Sequence, residues 1–171
     1  MAGELDEAGM VLNLSDVKHH ISHEITNQLN FRFLNDAWPE FDLTKNKGCL
    51  PTTEALARII WIRLKNYLPI VGLRIYEHSR LWADYLGNSM DAYLTIRSHF
   101  AAAHRLAKEE LSQEENEKIY GKCARPNGHG HNYLIDVTVR GSINKRTGMI
   151  CDLSALQDLI EELIIEPFDH T

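Results

Sequence analysis

Ser98-His99-Phe100-Ala101-Ala102-Ala103-His104-Arg105-Leu106, read with Gly121-Lys122-Cys123-Ala124-Arg125-Pro126-Asn127-Gly128-His129-Gly130-His131-Asn132-Tyr133, brings His104, His129, His131 and a thiol into one strand-loop-strand unit. His129 and His131 are two residues apart, so on an extended strand both imidazoles leave the same face and can reach one metal ion. His104 supplies a third nitrogen. Steps of two back from His104 pass Ala102, Phe100, Ser98, Ile96 and Leu94, and steps of two forward from His131 pass Tyr133, Ile135, Val137 and Val139. All three histidines therefore share a phase with apolar faces. Three neutral imidazoles at the end of such a face suit Zn²⁺ and leave a fourth position open, as a catalytic zinc requires. One buried histidine alone is more often a core residue with a satisfied hydrogen bond, and it is the trio with its His-Gly-His that argues for a metal.

The 171 residues suffice for one large domain or two small ones, and 44% hydrophobic with 25% charged residues is ordinary for a globular protein. A formal charge of −6 argues against a general nucleic-acid or anionic-membrane binder, since those need clustered Lys and Arg. No apolar run approaches the roughly 20 residues that cross a bilayer. The stretch from Met1 to Glu7 lacks the basic and apolar parts of a signal peptide, so a cytoplasmic protein is expected. Cys49, Cys123 and Cys151 are an odd set without framework spacing, as expected of reduced thiols.

The chain repeats itself. Gly9-Met10-Val11-Leu12-Asn13-Leu14-Ser15 recurs as Gly148-Met149-Ile150-Cys151-Asp152-Leu153-Ser154, an offset of 139 residues. A helix is expected after each copy, its apolar stripe marked by Leu14, Val17, Ile21 and Ile25 in the first and by Leu153, Leu156, Ile160, Leu163 and Ile164 in the second. Asn13 and Asp152 hold the same capping position. The copies part at the helix end: Asp169-His170 in the second stands where the first has Asn30-Phe31, so a pair able to move a proton faces an amide and a phenyl ring that cannot.

Residues 31–50 read as an irregular connection. A helix should follow Pro51, capped by Thr52 or Thr53, with Leu56, Ile60, Leu64 and Leu68 inward and a stop at Pro69. Glu54 falls in its first turn, where an acidic side chain suits the helix dipole. Residues 71–77 alternate as a strand, with Glu77 on the apolar side, so this carboxylate is either paired or waiting for a ligand. Residues 81–85 form a strand, Gly87-Asn88-Ser89 a turn, 92–104 a strand, 105–120 a charged loop or short helix, 131–140 a strand, 141–148 a turn and 153–166 the repeated helix.

Phe100-x-Ala102-x-His104-Arg105-Leu106, the block from Gly121 to Tyr133, Gly148-Met149-x-x-Asp152-Leu153, Asp169-His170, Pro51-Thr52-x-Glu54 and Glu77 followed by Tyr85 and Gly87 together resemble the 6-pyruvoyltetrahydropterin synthase family, which shares the tunnelling fold with 6-carboxytetrahydropterin synthase. The resemblance implies an α+β protein with a four-stranded antiparallel sheet, helices on one face, and subunits joined edge to edge in an oligomeric barrel. Against the element order that the resemblance implies, this chain looks permuted. Residues 1–87 carry the helix-helix-strand-strand second half of a family unit, and residues 88–171 the strand-strand-helix first half with the zinc site. They form one permuted domain or a slice of two fused units.

The resemblance further implies a lyase acting on 7,8-dihydroneopterin triphosphate, which loses triphosphate and rearranges internally to 6-pyruvoyl-tetrahydropterin. His104, His129 and His131 would hold Zn²⁺, Cys123 would be the base, and Asp169 and His170 its relay. Glu77 would bind the pterin ring, assisted by Thr53 or Glu54. Lys122, Arg105 and Arg125 are candidates for the triphosphate, with Mg²⁺ a candidate companion. Trimers or hexamers with sites at subunit boundaries are expected. Two other readings are a 6-carboxytetrahydropterin synthase of the queuosine route and an inactive zinc-bound assembly module. The resemblance implies a shorter Cys-to-His-Gly-His spacing for the carboxy enzyme, so the five residues between Cys123 and His129 favour the pyruvoyl enzyme.

Overall fold

The structure is a computed structural model that describes residues 3–44, 48–87 and 89–171. Its architecture is α+β, with one four-stranded sheet in the order β1-β2-β3-β4: β1 is Leu73–His78, β2 Leu81–Tyr85, β3 Asp91–His104 and β4 His129–Ser142. Leu73 faces Tyr85 across β1 and β2, and Leu81 faces Ile96 across β2 and β3, both antiparallel. Thr95 bonds Thr138 and Arg97 bonds Asp136, so β3 and β4 also run in opposite senses. The turn expected at Gly87-Asn88-Ser89 includes Asn88, which lies outside the described residues.

The chain divides into two compact units: residues 1–96 with 138–152, and residues 97–137 with 153–171. The division passes through both long strands, whereas the two sequence halves are defined by which part of the family pattern they carry.

In the first unit, α1 spans residues 14–29 as Leu14–Ile21, a π-helical turn Ser22–Thr26 and Asn27–Leu29. The Asn13 side chain accepts from the Ser15 amide at 2.8 Å, the capping bond its position implies. Ile25 is buried and Val17 packs beside it, but Leu14 and Ile21 of the expected stripe are exposed, because α1 meets the next long helix mainly at the π-helical turn. The 31–50 connection is not wholly irregular: it holds a short α2, Leu34–Ala37, and a 3₁₀ turn Pro39–Phe41. These drive Trp38 and Phe41 into the core with Ala55, Ile59, Ile60, Leu64 and Leu68. Arg63 covers the Trp38 ring at 4.2 Å and holds both Glu40 oxygens at 2.9 Å.

Helix α3, Thr53–Leu64, starts where Thr52 accepts from the Ala55 amide and packs across β1 and β2. It stops short of Pro69. The amides of Tyr67 and Leu68 both bond the Leu64 carbonyl, tightening the last turn before the proline, while Leu68 stays buried.

In the second unit, β3 and β4 lead into α4, Gln113–Tyr120, and α5, residues 153–168, which runs Leu153–Ile160, a π-helical turn Glu161–Ile165 and Glu166–Phe168. Phe100 stacks on Tyr133 with centroids 5.1 Å apart and tilts against Phe168 at 6.0 Å. The chain end lies along the β3 edge: His170 N donates to Ala101 O at 2.5 Å and Ala103 N to Thr171 O at 2.7 Å. Among the described residues no helix is long and apolar enough to cross a membrane.

A three-histidine centre and its surroundings

His104 closes β3 and His129 opens β4, so antiparallel pairing alone brings them face to face. The chain reaches this pairing through Gly128, whose φ is 67° and where an added Cβ would sit 2.8 Å from the His104 carbonyl oxygen. Only glycine tolerates both the backbone and the approach. Just before it, the Gly128 amide bonds the Arg125 carbonyl, closing the turn that Pro126-Asn127 begin.

One ring nitrogen from each of His104, His129 and His131 lies within 4.8 Å of the other two. His104 Nε2 and His129 Nε2 are 3.1 Å apart, close to the roughly 3.3 Å between two nitrogens each about 2.05 Å from one tetrahedral ion. His129 Nδ1 is buried with no hydrogen-bond partner. Burial, followed by the charges of His104 and His131, holds the His129 imidazole below its ordinary pKa and so favours the neutral form that donates to a metal. The donor set and its spacing fit a divalent ion. His104 and His131 are exposed and His129 half-buried, so the cluster stands at the open end of the sheet face.

Cys123 is not part of that cluster. It sits on a 3₁₀ turn, Gly121–Ala124, and its carbonyl accepts from the amide of Leu106, two residues past His104. The turn is held by Arg105, whose Nε donates to Ala124 O and whose Nη2 donates to Gln113 Oε1. Arg105, a candidate for triphosphate, is thus engaged in building the loop. Asn116, almost fully buried, does the same work for the 108–112 segment through bonds to Lys108, Leu111 and Ser112.

Asp169 and His170 form the expected pair. Asp169 Oδ2 lies 2.8 Å from His170 Nδ1, while Oδ1 accepts from the Ala101 amide at 2.7 Å. That amide bond above all, then the bond and charge of His170 and the charge of His99, holds the Asp169 carboxyl below its ordinary range. An ionised Asp169 keeps the His170 proton on Nδ1 and leaves Nε2 able to take one. His170 and His131 line a common cavity of about 300 Å³ with Ala101, Gly130 and Asn132. Neither the Ala101 amide nor the approach of His99 could be read from the sequence, because both depend on the chain end lying along β3.

In the first unit, Thr53 Oγ1 donates to Glu77 Oε2 at 2.5 Å, uniting two of the three residues expected at the pterin. Glu77 is exposed, and it is the residue at which the β1–β2 register shifts between Tyr76 and His78. A bulge re-aims the side chain it carries. Glu54 is engaged elsewhere: buried, it accepts from the Ile150 amide at 3.2 Å. Thr52 fastens the same turn by donating to Gly148 O at 2.6 Å.

A strand-borne three-histidine cluster beside an Asp-His pair, on a sheet backed by helices, defines a class that the comparisons with known proteins identify: the model of the 6-pyruvoyl tetrahydropterin synthase family matches residues 1–88 and 93–171, and the chain belongs to that family. Among individual proteins it is similar to the 6-pyruvoyl tetrahydrobiopterin synthase of Poecilia reticulata, 53% identical over 78 residues covering 46% of this chain and 53% of the relative. The Homo sapiens protein of the same name is 49% identical over 84 residues, covering 49% of this chain and 58% of that one. A solved structure of Caenorhabditis elegans 6-pyruvoyl tetrahydropterin synthase aligns with TM-score 0.43 and 40% identity over 47% of this chain and 56% of that chain. The chain thus spans a little over half the length of these two relatives.

Proposed function

We propose that the chain is a zinc-dependent 6-pyruvoyltetrahydropterin synthase, converting 7,8-dihydroneopterin triphosphate to 6-pyruvoyl-tetrahydropterin with loss of triphosphate. The observation that carries this reading is the set of three imidazole nitrogens mutually within 4.8 Å, one of which shares a cavity with His170. His104, His129 and His131 would hold Zn²⁺, which when bound polarises the substrate's side-chain hydroxyls and acidifies the neighbouring carbon-bound proton. Cys123 takes that proton. His170, oriented by Asp169, relays protons between the thiol and the substrate.

Glu77 accepts adjacent N–H groups of the pterin ring, and the Thr53 hydroxyl keeps its carboxylate aimed. Glu54 supports this pocket by latching the 144–151 turn rather than by reaching the ring itself. Lys122 and Arg125 are the remaining cationic candidates for the triphosphate, with Mg²⁺ as its companion. Assembly into trimers or hexamers with sites at subunit boundaries is part of the proposal, as is a cytoplasmic setting, which the free thiols of Cys49, Cys123 and Cys151 support.

The test is incubation of the zinc-loaded chain with 7,8-dihydroneopterin triphosphate, following triphosphate release and the pterin product. The expected result is 6-pyruvoyl product from the wild type, and zinc content retained but turnover lost in Cys123→Ala. Acetaldehyde release would assign the carboxy enzyme instead. Zinc binding with no turnover and an unreactive Cys123 thiol would leave an assembly module and overturn the proposal.

A further inference from the structure

The reaction proposed above uses nothing on the outer face of α1. There His19 and His23 stand one helical turn apart, both exposed, with rings stacked at 6.1 Å between centroids and 22° between planes. Side chains four apart on a helix project to one side, so the two imidazoles can turn their nitrogens toward one point.

His23 is further constrained. Its Nδ1 lies 2.8 Å from Glu24 Oε1, and a carboxylate accepts, so the ring proton sits on Nδ1 and the Nε2 lone pair is free to bind. A carboxylate behind the far nitrogen is the arrangement that orients a metal-ligating histidine and raises its basicity. His20 is occupied otherwise, its ring stacked on Tyr67 at 4.9 Å. The repeat sharpens the point: an offset of 139 residues places Asp158 and Glu162 where the first copy has His19 and His23. Both helices keep the same π-helical turn, at Ser22–Thr26 and Glu161–Ile165, so the scaffold is common while the imidazole pair belongs to α1 alone.

We infer that His19 and His23, with Glu24 behind His23, form a surface chelate for a borderline divalent transition-metal ion, sharing no residue with the three-histidine centre. Two neighbouring imidazoles with water in the remaining positions suit the tetragonal N,O preference of Ni²⁺ or Cu²⁺.

The test is equilibrium dialysis of the metal-stripped chain against Ni²⁺, which does not oxidise the free thiols. Two bound equivalents are expected in the wild type. His19→Ala and His23→Ala should each lose one and keep the other, while His129→Ala loses the other and keeps this one. Glu24→Gln should retain the count but weaken one site by about 10-fold or more. An unchanged count in both His19→Ala and His23→Ala, with the helical circular dichroism preserved, would overturn the inference. Loss of an equivalent in His23→Ala but none in His129→Ala would uphold it and count against the zinc reading instead.

Discussion

Phe31 and His170 occupy equivalent places in the two repeats and share a left-handed backbone, with φ of 57° and 61°. A non-glycine residue there costs roughly 1–2 kcal/mol. Since a phenyl ring that is 99% exposed adopts it as readily as an imidazole does, the strain belongs to the helix-ending turn and not to the chemistry of His170. Phe31→Gly should therefore raise stability by about 1 kcal/mol, read from the urea midpoint, because almost no burial is lost with the ring. His170→Gly should relieve the same strain and abolish turnover. A second residue-scale prediction concerns Asp91, whose carboxyl is held below its ordinary range first by the Ser142 hydroxyl and then by the Arg140 guanidinium. The folded pKa is the depressed one, so the unfolded chain binds the extra proton between the two values. The contribution is complete above about pH 4 and is lost as pH falls through the folded value. Thermal unfolding from pH 6 down to pH 2.5 should show Asp91→Asn with a flatter acid limb than the wild type.

At the scale of elements, the sequence was most legible where a cap and a periodic stripe coincide. The helix expected after the first copy runs over 14–29, the one expected over 153–166 runs over 153–168, and β2 falls on its expected residues. The π-helical turns were not legible, because an extra residue in a helical turn leaves no compositional mark, yet their recurrence at the same offset shows how far the repeat extends. The α4 sequence reads equally as loop or short helix for want of an apolar stripe; its capping box, Ser112 with Glu115, is the available signal. β1 begins at Leu73 rather than Val71, which is 58% exposed, since alternation alone cannot tell a strand from the extended chain leading into it. The phase of β4 held, with Tyr133, Ile135, Val137 and Val139 each less exposed than their neighbours, and the strand starts two residues earlier so that His129 lies within it. For the site, the convergence of His104, His129 and His131 is readable from spacing. The bulge at Glu77 and the docking of the chain end on Ala101 were not, because each depends on pairing between distant segments.

At the scale of the whole molecule, the family model matches two stretches, residues 1–88 and 93–171, and His104, His129, His131, Cys123 and the Asp169-His170 pair all fall in one compact unit. The imidazoles, the thiol and the Asp-His pair therefore come from residues 88–171, while Thr53 and Glu77, proposed for the pterin, come from the other half, and the first copy of the repeat, with Asn30-Phe31, brings no second relay. The most direct measurement is X-ray absorption at the zinc edge, with metal quantified, on the His23→Ala chain so that the α1 face does not contribute. One zinc per chain with three imidazole nitrogens at about 2.0–2.1 Å, lost in His129→Ala, is the expected result. Zinc that survives His129→Ala, or a sulfur neighbour near 2.3 Å that makes Cys123 a ligand instead of a base, would contradict it.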